Sequence, residues 1–145
     1  MSDQLVADDI VSQAMGLDLP EGEYAICGGA VLAIHGLRAT ADIDMVVTPR
    51  IYGQFQQHGW REKIRPDSDR SHALLHGVFD MATVWSVNDY QPDPQNLIQN
   101  AVSTRRLSFV RLEEVLKWKR ACQRPKDVRD VELIEAYLSL SSRPE

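Results

Sequence analysis

The sequence has 145 residues, a length that predicts a single domain over residues 1–145 and excludes a complete multi-domain enzyme. With 43% hydrophobic and 26% charged residues it has the composition of a globular protein, and it lacks the run of roughly 20 apolar residues that a membrane helix needs. The net charge of −5 argues against non-specific nucleic-acid binding by the whole surface. An acidic first segment and two cysteines without a CxxC pair predict a soluble, cytoplasmic protein.

Hydrophobic spacing and turn residues divide the chain into alternating helices and strands. In chain order, the predicted elements are a helix over 5–15 capped by Asp3, a strand over 24–27, a helix over 30–35, a strand over 42–47, a helix over 50–58, a loop over 61–70, a hairpin of strands 71–75 and 78–85, a loop over 88–96, a helix or loop over 97–102, an edge strand over 107–110, and helices over 112–122 and 125–140. The last helix is expected to bury an apolar stripe of Val128, Val131, Ile134 and Leu138. Interior strands with flanking helices predict an α+β fold with one layer of sheet.

Charge is unevenly distributed along the chain. Residues 1–50 contain two basic and eight acidic residues, whereas residues 105–130 contain nine basic and four acidic ones. One interpretation is a set of solvated helix faces that balance each other. The other is an anion-binding wall that lies opposite a cluster of carboxylates.

Two aspartates in the strand over 42–47 are the strongest candidates for chemistry. Successive side chains of a strand point to opposite faces, so Asp42 and Asp44 lie on the same face. Two adjacent carboxylates repel each other and favour a bound cation, and oxygen ligands favour Mg²⁺ or Mn²⁺. The alternative is a pair of solvated aspartates on an exposed strand face.

A glycine pair precedes these aspartates. Gly28 and Gly29, between a strand and a helix, allow backbone N–H groups to approach an anion closely, and the helix dipole favours that anion. Arg38 and Thr40 add a guanidinium and a hydroxyl between this turn and the carboxylates. Groups suited to phosphate and to cations therefore occur together within residues 28–44.

This segment resembles the first motif of nucleotidyltransferases of the DNA polymerase beta superfamily, and in particular the small bacterial nucleotidyltransferases of the abortive-infection and toxin-antitoxin group. In that group Gly-Gly and a short helix are followed by Arg-x-Thr-x-Asp-x-Asp, which residues 28–44 match. A second match is Leu-Lys-Trp-Lys at 116–119, followed by Arg-Pro-Lys-Asp at 124–127 and Asp130. The resemblance covers about residues 23–140 and implies the nucleotidyltransferase fold, a short twisted mixed β-sheet flanked by α-helices.

The resemblance also implies a reaction, the transfer of a nucleoside monophosphate from an NTP to an acceptor hydroxyl with release of pyrophosphate. The residues to which it gives a role are Asp42, Asp44 and Asp80 as ligands of Mg²⁺ or Mn²⁺; Gly28, Gly29, Arg38, Thr40 and Arg124 as groups that bind the triphosphate; and Lys119 as a catalytic cation that offsets phosphate charge. For Lys119, a solvated surface lysine is the alternative.

Asp80 is the expected third carboxylate because it interrupts an apolar strand, where a charge needs an ion-pair partner or a metal. A structural salt bridge at Asp80 is an alternative, and Asp89 or Asp93 could replace it from the following loop.

Two further aspartates lie near the start of the last helix. Asp127 and Asp130 are expected to cap it or to pair with Arg124 and Arg129 rather than to bind metal.

Little chain remains for an acceptor-recognition domain. We therefore expect one of three arrangements: the acceptor is a small molecule, it is a tRNA end held by the basic segment, or a second subunit or partner protein supplies the acceptor-recognition surface. The alternative to catalysis is a non-catalytic nucleotide- or partner-binding module of the same fold, such as a toxin-antitoxin component. A P-loop NTPase is excluded because GxxxxGK[ST] is absent.

Overall fold

The computed structural model describes residues 4–64 and 72–141. The predicted cap Asp3 and the predicted loop and strand residues at 65–71 lie outside them. The described helices are α1 (Ala7–Met15), α2 (Gly29–Ile34), α3 (Pro49–Gln57), α4 (Pro94–Gln99), α5 (Leu112–Cys122) and α6 (Pro125–Ser141). The described strands are β1 (Tyr24–Cys27), β2 (Ile43–Val47), β3 (Arg61–Ile64), β4 (His72–His76), β5 (Phe79–Ala82), β6 (Val102–Thr104) and β7 (Leu107–Phe109). In this part of the chain no helix has the length and apolar character needed to span a membrane.

The strands of the described residues form one sheet in the order β3-β4-β5-β2-β1-β7-β6. Two neighbouring pairs are parallel, β2 with β5 and β1 with β7, and the other pairs are antiparallel. Parallel neighbours require a crossover, which α3 and the β3–β4 hairpin supply between β2 and β5. The predicted α+β fold with a mixed sheet flanked by helices is confirmed.

The two faces of the sheet differ in chemistry along one line of paired residues. Ile26, Met45, Met81 and Leu74 are cross-strand neighbours, and all four are fully buried. The next row, on the opposite face because side chains alternate, contains Cys27, Asp44, Asp80 and Leu75. Along this line one face contributes only buried apolar side chains, and the other carries two carboxylates side by side.

Three predicted elements differ from the structure. Residues 61–64, predicted as loop, form the edge strand β3 because their backbone pairs with β4 while all four side chains stay exposed. Conversely, β7 is not an edge strand, since β6 pairs with its outer side. Helix α4 begins at Pro94, inside the predicted loop over 88–96, where the side chain of Asp93 caps it.

The predicted apolar stripe of α6 is wrong at its first position. Val128 is 56% exposed, whereas Asp127 and Asp130 are buried with Ile134. The helix therefore turns two carboxylates toward the protein interior. A buried charge is tolerated only with a partner, so the reason for this orientation lies in the ion pairs of the site.

Candidate active site

The turn between β1 and α2 requires glycine at both of its positions. Gly28 has φ +66°, and a Cβ atom there would lie 2.7 Å from Oδ2 of Asp44. A Cβ atom on Gly29 would lie 2.6 Å from Oγ1 of Thr40 and 3.3 Å from the guanidinium nitrogens of Arg38. The missing side chains thus allow three polar groups to approach the backbone at the start of α2.

The predicted carboxylates lie on neighbouring strands. Asp44 of β2 is the direct parallel partner of Asp80 of β5, and Asp42 lies just before β2, two residues from Asp44. All three line a cavity of about 1080 Å³, together with Gly28 and Gly29. The strand register therefore brings Asp80 next to the aspartates of the first motif.

Asp80 occupies the position expected for the third carboxylate. Of the two loop alternatives, Asp93 is engaged as the cap of α4, and Asp89 lies on an exposed loop. Neither lies on the strand next to β2.

The donor chemistry of Asp42, Asp44 and Asp80 fits a hard cation, because Mg²⁺ prefers carboxylate oxygens. However, among residues 4–64 and 72–141 no three His, Cys, Asp or Glu side chains form a group that could hold a metal ion as they stand. The metal site stays a prediction that rests on the type of ligand and on the shared cavity.

A network of charges with a buried centre, the ion-pair cluster, lines the same cavity and reaches the glycine turn through Arg38. It consists of Arg38, Lys119, Arg124, Asp127 and Asp130. The Nε and Nη2 atoms of Arg38 donate to the two carboxylate oxygens of Asp130 at 2.7 and 2.8 Å. The Nζ atom of Lys119 lies 3.2 Å from Oδ1 of Asp127 and 3.0 Å from Oδ2 of Asp130. The cluster therefore joins the loop before β2 to α5 and α6.

Arg124 completes the cluster at the start of α6. Its Nε donates to Oδ2 of Asp127 at 2.7 Å, and its guanidinium lies 5.3 Å from the ring centroid of Trp118. Trp118 in turn stacks on Trp85 with the two ring planes 6° apart. Arg124 is thus held by a carboxylate and by an aromatic face, a geometry that its planar guanidinium suits.

These contacts shift the pKa values of the carboxyl groups. Burial by itself raises the pKa of Asp127, but hydrogen bonds from Arg124 and the charge of Lys119 outweigh it and lower the pKa to about 2. Burial likewise opposes ionisation of Asp130, yet hydrogen bonds from Arg38 and Lys119 lower its pKa. Both carboxylates are therefore ionised at neutral pH.

The cluster changes the interpretation of three residues predicted to contact phosphate. Arg38, Lys119 and Arg124 all line the cavity, but each is paired with a carboxylate, and Lys119 is only 5% exposed. The predicted pairing of Asp127 with Arg124 is confirmed. The predicted pairing of Asp130 with Arg129 is wrong, because Asp130 faces inward to Arg38 and Lys119.

Sequence reasoning also missed parts of the site. Trp85 and Trp118 line the cavity beside Arg124, and the only sequence signal for them was the position of Trp118 within the Leu-Lys-Trp-Lys match. A second cavity of about 490 Å³ shares Asp42 and Asp80 with the first and is lined in addition by Arg61. The two carboxylates thus lie at the boundary between two cavities.

With this geometry established, known proteins provide a comparison. The structure is similar to the crystal structure of ANT(2'')-Ia, an aminoglycoside nucleotidyltransferase, in complex with adenylyl-2''-tobramycin. The TM-score is 0.50 at 17% sequence identity, and the match covers 89% of this chain and 85% of that chain.

The chain has the nucleotidyltransferase fold. At this identity the similarity concerns the fold alone. No protein-family model and no curated protein sequence matches the chain. Assignment of a function therefore depends on the residues that this nucleotidyltransferase fold brings together.

The glycine turn yields the first testable prediction. Gly28→Ala should destabilise the protein by about 1–3 kcal/mol, because alanine disfavours a positive φ and its Cβ would meet the Asp44 carboxylate. The matched control is Gly53→Ala in α3, where a Cβ meets nothing within 4 Å; it should be neutral or stabilise by up to about 1 kcal/mol. Urea unfolding measures both, and equal effects would show that the turn does not need glycine.

Lys119 and Lys117 allow a test of the ion-pair cluster. Lys119→Met removes one of the two cationic partners of Asp127 and of Asp130, which keep only Arg124 and Arg38, and the loss of two charged contacts should lower the free energy of unfolding by about 3 kcal/mol or more. The control is Lys117, whose side chain is 60% exposed and pairs with Glu114. Lys117→Met should lower the free energy of unfolding by less than about 1 kcal/mol. Denaturant unfolding at pH 7 compares the two, and similar losses would reduce Lys119 to a surface charge.

The lowered pKa of Asp127 predicts an acid-dependent loss of stability. A carboxyl with a pKa of about 2 in the folded state and an ordinary value of 3.8 when unfolded stabilises the fold above about pH 4 and loses that contribution as the pH falls toward 2. Its contribution is about 2 kcal/mol. Between pH 5 and 2.5 the unfolding free energy should therefore fall less in Asp127→Asn than in the wild type. Asp89→Asn, on an exposed loop, should follow the wild-type curve.

Proposed function

We propose that the protein is a metal-dependent nucleotidyltransferase that transfers a nucleoside monophosphate from an NTP to an acceptor hydroxyl and releases pyrophosphate. One observation carries the proposal: on a nucleotidyltransferase fold, the in-register pair Asp44 and Asp80 lies with Asp42 and the Gly28-Gly29 turn around one cavity. A binding module has no need of three carboxylates at the place where a polyanion would lie.

Asp42, Asp44 and Asp80 would hold Mg²⁺ or Mn²⁺. When bound, the metal supplies positive charge to the phosphate oxygens and offsets the repulsion between those oxygens and the carboxylates. Beyond this, the chain's own residues have to orient the substrates. We assign to Asp80 the role of orienting or deprotonating an entering hydroxyl, because it lies on β5 and borders the second cavity, which Asp42 also lines.

The triphosphate is proposed to lie over the glycine turn. Gly28 and Gly29 present backbone without side chains, and Thr40 and Arg38 surround Gly29. Because Asp130 binds Arg38 through two hydrogen bonds, the guanidinium keeps a single orientation above the turn. A cation held in place in this way stabilises charge that develops on the phosphates without first reorganising.

Lys119 enters the mechanism as a positioning residue. Its ammonium lies between Asp127 and Asp130, and Asp130 holds Arg38, so loss of Lys119 would release the group that orients the guanidinium. Arg124, whose side chain is 44% exposed, has the better access to a phosphate oxygen at the cavity wall.

The acceptor is proposed to enter through the second cavity, since that cavity borders Asp80 and is not lined by Gly28 or Gly29 of the glycine turn. A small molecule, a tRNA end and a protein side chain are all possible acceptors for the proposed reaction. The aminoglycoside product belongs to the structural neighbour, and this chain's own acceptor is to be identified by experiment.

Labelled nucleotides test the proposal. Purified protein, Mg²⁺ and each of the four labelled NTPs are incubated with a cell extract that contains RNA, protein and small acceptors. We expect labelled product from the wild type and a loss of roughly 100-fold or more in Asp44→Asn and Asp80→Asn, because each removes charge from the reacting centre. Asp89→Asn, on an exposed loop, is the matched control and should remain active.

Thermal unfolding distinguishes a failed enzyme from a binding module in the same samples. Ligands that bind only the folded state raise the melting temperature, with about 2.7 kcal/mol of stabilisation at a hundredfold excess over Kd. If Mg²⁺ and NTP raise the melting temperature but no NTP gives a product, the protein is a nucleotide-binding module and not a transferase. No product and no stabilisation would overturn the assignment of the site.

A further inference from the structure

The three cations that the sequence motifs assign to phosphate binding are already paired with buried carboxylates. The ion-pair cluster contains three cations and two carboxylates, so its net charge is +1. An NTP carries several negative charges, and most of them lie on its β- and γ-phosphates. The cluster alone therefore offers too little free charge for the polyphosphate tail.

Two other cations of α6 line the same cavity. Lys126 and Arg129 are exposed, and the described part of the chain contains no carboxylate that pairs with either of them. They are three residues apart and hence neighbours on one helix face. Asp127 and Asp130, also three residues apart, face the interior instead. The helix thus separates its paired carboxylates from its unpaired cations.

Side-by-side cations without a counterion repel each other, and an anion between them removes that repulsion. An unpaired exposed cation also has no ion pair to break before it binds a ligand. Arginine binds phosphate oxygens through its fork of N–H donors, and lysine binds them as a mobile point charge.

We propose that Lys126 and Arg129 form a polyphosphate subsite that binds the β- and γ-phosphates of the nucleotide. This inference rests on the proposed function. Both cations line the same cavity as the three carboxylates and the glycine turn, so a triphosphate that lies over the turn can bring its β- and γ-phosphates to them. The ion-pair cluster holds α6 in place through its contacts with Arg38 and with Lys119 of α5.

Titration with ligands that differ only in phosphate number tests the subsite. AMP, ADP, ATP and inorganic tripolyphosphate are titrated by calorimetry into protein that contains Mg²⁺. The variant Lys126→Gln with Arg129→Gln should bind ATP and tripolyphosphate roughly 10-fold or more weakly, while its affinity for AMP stays that of the wild type. Arg129→Lys keeps the charge but removes the fork of N–H donors. Its affinity for ATP should lie between that of the wild type and that of the double variant.

The matched control removes the same two charges from α5. Lys117→Gln with Arg120→Gln changes cations that pair with Glu114 and Glu135 and do not line the cavity. This control should bind all four ligands like the wild type. Equal losses in both double variants, or equal losses for AMP and ATP, would overturn the subsite, because either result indicates long-range charge rather than a phosphate contact.

The outcomes separate this inference from the proposed function. If ATP binds tightly in a way that depends on Lys126 and Arg129, but no transfer product forms, the subsite is supported and the proposed transferase activity is contradicted. If the double variant of Lys126 and Arg129 transfers nucleotide and binds ATP like the wild type, the transferase activity is supported and the subsite is contradicted. If the wild type binds neither ATP nor tripolyphosphate, both the transferase activity and the subsite are contradicted.

Discussion

The bidentate ion pair between Arg38 and Asp130 is the contact on which the arrangement of the site depends. It joins two positions that are 92 residues apart, one in the loop that leads to β2 and one in α6. Lys119 extends the contact to α5. Because these charges are largely removed from water, each needs its partner, and loss of one leaves a buried charge uncompensated. The helical pair is thereby held against the end of the sheet where the aspartates lie, and the cavity forms between them.

The same helix gives its charges two different tasks. Along α6, Asp127 and Asp130 turn inward and complete the ion-pair cluster, while Lys126 and Arg129 stay at the cavity surface. Buried pairs hold geometry and release little charge to a ligand, whereas exposed cations are mobile and can neutralise an anion. A count of basic residues in this segment does not distinguish the two groups. With the proposed subsite, this division lets one helix contribute both to the structure of the site and to nucleotide binding.

Much of the fold follows from local patterns. The strand over Tyr24–Cys27 and the helices α5 and α6 were predicted with nearly the observed bounds, because their periodicity and their boundary glycine and proline residues are local signals. The edge strand β3 was not predicted, since its exposed, charged residues form a strand only by pairing with β4. The inner position of β7 likewise depends on β6, which has no strong signal of its own.

For the site, the sequence by itself determined which groups are available and their local order: a glycine pair, then Arg38, then two aspartates on one face of a strand, with Asp80 on a later strand. Only the tertiary structure decided who their partners are. Asp130 pairs with Arg38 rather than with its neighbour Arg129, and Val128 is exposed where an apolar stripe was expected. The reason is that the cost of burying a charge depends on the partner that the fold brings to it, and no spacing along the chain specifies a partner 92 residues away.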